Sequence, residues 1–77
     1  MELSAGDRRL LAATIRKVRS ETGLTQTEVA ARSGIDQAKI SRYELGRNEP
    51  PMASLFAIDE ACGHERGHIL RAAGLME

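Results

Sequence analysis

Apolar positions along this chain recur at helical intervals and nowhere alternate. In SAGDRRLLAATIRKVRSETG, Leu11, Ile15 and Val18 fall at i, i+4 and i+7, with Leu10 and Thr14 flanking the same stripe. Ser4 with Asp7 supplies a start signal and Gly23 a stop. TQTEVAARSG follows, with Thr25 and Glu28 spaced as a capping box, Val29 and Ala30 as a short apolar stripe, and Gly34 as terminator. A helix over 25–33 spans only about two and a half turns, too short to persist alone in water, so neighbours must hold it. A third helix is predicted over 36–45, with Asp36 as N-cap and Gly46 just past its end. Only Ile35 and Asp36 follow Gly34 before this helix, so the second and third helices cross steeply, as in a helix-turn-helix.

RNEPP breaks the pattern, because prolines cannot sit in a helix interior but start one well. A fourth helix over 51–62 carries Leu55, Ile58 and Cys62 at i, i+3 and i+7. A fifth over 64–73 carries Ile69, Leu70 and Ala73. The expected fold is all-α: five short helices around one core, with no strand candidate.

The third helix has two chemically distinct faces. At about 100° per residue, with Gln37 at the origin, Ser41, Ala38 and Arg42 fall at about 40°, 100° and 140°. Ile40 and Tyr43 fall on the opposite side. The polar face matches what a major groove presents: Gln pairs adenine at two points, Arg forks onto guanine, Ser bonds any base edge, and Ala offers a methyl to thymine. Such a face is also what any exposed helix carries.

Composition narrows the choices. Seventy-seven residues make one domain, with no room for two cores. Cys62 is the only cysteine, which excludes an internal disulfide and suggests a reducing compartment. Tyr43 and Phe56 are the only Phe, Trp or Tyr residues, leaving little for base stacking. No signal-peptide run or bilayer-length segment is seen, so a cytoplasmic protein is expected, with no membrane association. Net charge is zero, which argues against a nucleic-acid partner. Its distribution qualifies that argument: residues 1–47 hold nine Lys/Arg against six Asp/Glu, and residues 48–77 hold two against five. One end, at +3, suits a polyanion; the other, at −3, faces away.

The run TQTEVAARSGIDQAKISRYELG, with GRN-x-P and L-x-x-I after it, resembles the helix-turn-helix of the phage repressor and Cro family, or XRE-type regulators. The similarity covers roughly residues 10–63. It implies a five-helix repressor-like domain whose third helix enters the major groove of double-stranded DNA while the second crosses the backbone. By the same resemblance Gln37, Ala38, Ser41 and Arg42 face base edges. Gln26 and Thr27, at the start of the second helix, and Lys39, Arg47 and Asn48 meet phosphates. Arg19 and Glu44 form a partly buried ion pair tying the first helix to the third. A homodimer on a pseudo-palindrome is implied, with Phe56, Ile69, Leu70, Leu75 and Met76 as candidate contacts. Asp59 departs from the family pattern, which has a small apolar residue there; a local arginine contact is expected for it.

Cys62, His64, His68 and Glu65 form too small a cluster for structural zinc, which needs two paired ligand sets. Neither metal nor cofactor is expected, no small-molecule effector is foreseen, and no catalytic constellation supports an enzyme. The rival from another class is a protein-interaction module of antitoxin or adaptor type that keeps this fold; zero net charge suits it.

Overall fold

The computed structural model describes residues 2–77. The order is α1 (Ala5–Glu21), α2 (Gln26–Ser33), α3 (Gln37–Glu44), α4 (Met52–Ala61) and α5 (His68–Ala72), all helical, with no strand among the described residues. α1 packs on α3 and α5, α2 on α3 and α4, and α4 on α5. No helix is long and apolar enough to cross a membrane among the described residues.

One cluster forms the core. Leu11 and Ile15 of α1, Val29 of α2, Ile40 and Tyr43 of α3, Leu55 and Ile58 of α4, and Ile69 and Leu70 of α5 are all buried in it. Each fully buried aliphatic side chain contributes about 1.5–3 kcal/mol. Ile69 and Leu70 are therefore packing residues, not surface contacts for a second subunit. Phe56 and Leu75 stay half-buried and Met76 exposed. The α1 stripe is narrower than its sequence suggests. Thr14 is buried and donates from Oγ1 to the Leu10 carbonyl (2.8 Å), whereas Leu10 itself lies exposed.

Local signals set the helix ends. Ser4 Oγ accepts from the Asp7 backbone N–H (3.0 Å). In the Thr25 box, Thr25 Oγ1 accepts from Glu28 N–H (3.1 Å) and Glu28 Oε1 accepts from Thr25 N–H (3.0 Å). The Thr25 N–H donated to it favours the ionised carboxylate and holds the Glu28 pKa below its ordinary value. Gly34 then closes α2 at φ +75°, a left-handed conformation that side chains with a Cβ resist. Asp36 occupies the N-cap position of α3 but makes no side-chain cap bond. Its carbonyl accepts from Lys39 and Ile40 N–H, and its exposed carboxylate only complements the helix dipole.

The last helix is shorter than the expected 64–73, because Gly67 at φ +93° cannot lie inside an α-helix. Asp59 accounts for the geometry. Expected to meet an arginine, it is fully buried instead and accepts from the Gly67 N–H (2.8 Å) and the Ile69 N–H (3.0 Å). An internal carboxylate of α4 thus caps α5 across the loop, satisfying two backbone donors that would otherwise be buried unpaired. Beside it, the His64 and His68 rings stack at 3.7 Å. Cys62 is buried, and burial pushes its thiol pKa above the usual value.

Candidate nucleic-acid interface

α3 turns Ile40 and Tyr43 into the core, which forces the opposite side outward. Gln37, Ala38 and Lys39 are exposed at its start, and Ser41 and Arg42 are half-buried one turn on. Thr27 is exposed on the first turn of α2, and Gln26 beside it is half-buried. Arg47 and Asn48 are exposed in the loop after α3.

Beneath this surface runs a chain of polar side chains from three helices. Arg19 donates from Nε to Glu44 Oε2 (2.6 Å) and from Nη2 to Glu44 Oε1 (2.9 Å), a bidentate ion pair. Its Nη1 donates to the Leu24 carbonyl (3.0 Å), so the loop before α2 joins the same group. The pair is nearly dry, with 15% of the Arg19 side chain exposed and 3% of the Glu44 side chain. The bond to Glu44 raises the Arg19 pKa above its already high value, against the opposing effect of burial. Gln26 Nε2 donates to Glu44 Oε1 (3.1 Å), and Gln37 Nε2 donates to Gln26 Oε1 (3.1 Å). The order Arg19–Glu44–Gln26–Gln37 therefore links the surface of α3 to α1 through the start of α2.

This fixes atoms, not only positions. One N–H of the Gln37 amide is committed to Gln26, and its other N–H and its Oε1 remain free at the surface. Gln26 is similarly constrained: its Oε1 is taken, and a single N–H is left for any outside acceptor. A second tie steadies Arg42. With the Asn48 amide in the orientation that satisfies both its ends, Asn48 accepts from Arg42 Nε (3.0 Å) and donates to the Arg47 carbonyl (2.9 Å). The terminal nitrogens of Arg42 stay available. The sequence gives no sign of the Gln26–Gln37 and Arg42–Asn48 bonds, because each spans separate elements.

A notch of about 130 Å³ borders this surface, lined by Arg16, Arg19, Gln26, Ser41, Glu44 and Leu45. Arg16, which the helical pattern leaves as an ordinary solvent-facing residue, stands beside Gln26 and Ser41. Its spacing of three from Arg19 is the one hint in the sequence.

Comparisons with known proteins agree with the geometry. A family model described as "Helix-turn-helix domain" matches residues 10–72. A protein of Sinorhizobium fredii, described as uncharacterized HTH-type transcriptional regulator y4dJ, is 41% identical over 56 residues, 73% of each chain. Among solved structures, the clp gene regulator ClgR from C. glutamicum superposes with a TM-score of 0.79 at 29% identity, covering 88% of this chain and 87% of that one. An HTH_3 family transcriptional regulator from Vibrio cholerae gives a TM-score of 0.80 at 19% identity, a likeness of fold. This chain, of which 88% is covered, spans 38% of that protein.

Proposed function

Because this chain belongs to the helix-turn-helix domain family, whose members compared above are transcriptional regulators and not enzymes, we propose that it binds double-stranded DNA sequence-specifically, with α3 in the major groove. The observation that carries this is the Gln37–Gln26–Glu44–Arg19 chain, which holds an exposed amide in one orientation. A polar face meant only for water gains nothing from such support. A reading head does, because a bidentate contact depends on which amide atom points outward.

In this arrangement the free N–H and Oε1 of Gln37 meet N7 and N6 of an adenine, and the terminal nitrogens of Arg42 meet the acceptors of a guanine. Ser41 and Ala38 contact adjoining base edges. The remaining N–H of Gln26, Thr27 at the start of α2, and Lys39, Arg47 and Asn48 hold phosphates and set the register. One domain covers few base pairs, so two copies act together on half-sites about one helical turn apart. Phe56, Leu75 and Met76 are left for that contact, since Ile69 and Leu70 are core. The action proposed is repression by occupancy, in the cytoplasm, with no cofactor.

Selection of bound duplexes from random-sequence DNA tests the proposal. One preferred sequence should emerge, and Gln37→Ala and Arg42→Ala should each relax preference at one base position and cost about 1–3 kcal/mol there. Enrichment of no duplex at low salt, or variants that select the same sequence as the parent, would overturn it.

A further inference from the structure

The solvent-facing ridge of α1 carries Arg9, Arg16 and Lys17, all exposed. None of them joins an ion pair among the described residues. Arg9 and Lys17 share a groove of about 410 Å³ with Arg16, Ala12, Ser20 and Leu45. Only Arg16 of the three also lines the notch where Gln26 and Ser41 emerge. It stands where the ridge of α1 meets the start of α2 and the second turn of α3.

We propose that Arg16 is a DNA-backbone contact, so that the interface extends from the helix-turn-helix onto α1. This rests on α3 being the groove helix. Three features of the notch support it. First, Arg16 is exposed and unpaired, so a phosphate gains a charge-assisted bond without breaking an ion pair of the protein. Second, the only carboxylate in the notch does not repel the phosphate. Glu44 is neutralised by bidentate Arg19, Gln26 donates a further bond to it, and its side chain is nearly buried. Third, Leu45 at the end of α3 is 61% exposed and has no side-chain donor. That corner of the surface must take its cation from another element, and of the two arginines lining the notch Arg19 is committed to Glu44 and Arg16 is free. Lys17 and Arg9 add positive potential along the same ridge without reaching the notch.

The test uses the full chain, a duplex of scrambled sequence and the duplex recovered by selection, with affinity measured across a salt series. Arg16→Gln should weaken both duplexes several-fold to a similar degree and lower the slope of log K against log salt by about one. Arg16→Lys should restore most of the binding, because a phosphate accepts a point charge. Arg66→Gln provides the control for net charge, since Arg66 is exposed on the far side of the sequence and already paired with Glu60 (3.4 Å). If Arg16→Gln matches Arg66→Gln in affinity and slope, the α1 contact is wrong while the α3 proposal stands. A parent protein that binds neither duplex at low salt overturns both.

Discussion

Arg19 and Glu44 show how one pair of residues serves stability and recognition together. Burying two charges gains little over burying two apolar groups, but removing one partner leaves the other charge stranded. Arg19→Ala should therefore destabilise by about 3 kcal/mol, well beyond what an exposed arginine costs, with thermal melting as the measurement. A melting temperature equal to the parent's would mean the pair is not holding α1 to α3. Replacing both, Arg19→Met with Glu44→Leu, should return most of that stability. DNA affinity should not return with it, because Gln26 would lose its acceptor and Gln37 its fixed support. The two readouts separate a brace from a reading head.

At the scale of an element, α5 depends on a residue that is not its own. Five residues cannot form a persistent helix in isolation. Asp59 supplies what the helix lacks, a buried carboxylate accepting from its first backbone donors. Asp59→Ala would leave the Gly67 and Ile69 N–H groups buried without partners, at a cost of about 3 kcal/mol, read from the urea midpoint. Amide exchange at Ile69 and Leu70 should accelerate more than exchange at Val29, because α5 loses its anchor while α2 keeps its own capping box. Uniform acceleration across the chain would show instead that α5 and the rest open as one unit. Asp59→Asn should be milder, since the remaining oxygen still accepts one of the two bonds.

For the whole molecule the decisive property is charge distribution. Zero net charge conceals an excess of +3 over residues 1–47, which contain α1, α2 and α3, and −3 over the remainder. Exposed Arg9, Arg16, Lys17, Lys39 and Arg47 all lie in the first part, while Arg66 and Arg71 in the second are paired with Glu60 and Glu65. A molecule so divided should approach a polyanion in one orientation. Its affinity for duplex DNA should fall steeply with salt, about 0.9 in log–log slope for each phosphate neutralised. A flat salt dependence would favour the rival, a protein-interaction module carried on the same fold.

What could be read from the chain alone divides along the range of the forces. Helix order, the Ser4 and Thr25 caps, the Gly34 stop and the inward turn of Ile40 and Tyr43 follow from spacings within one helix or turn, which propensity and periodicity report directly. The angular placement of Gln37, Ala38, Ser41 and Arg42 is local in the same way. The partner of Asp59 was not legible, because its two donors lie eight and ten residues away beyond a loop whose shape depends on Gly67. Nor was the orientation of the Gln37 amide, set by a glutamine eleven residues earlier that is itself held by Glu44. Arg16 carried no signal beyond its spacing of three from Arg19, since an exposed arginine on an amphipathic helix is ordinary until α2 and α3 close a notch beside it. Spacing along the chain fixes which face of each helix turns inward, though not its edges: Leu10, on the margin of the α1 stripe, lies exposed. Tertiary structure decided which outward groups are tethered and which remain free, because hydrogen bonds between elements exist only once packing has brought those elements within reach.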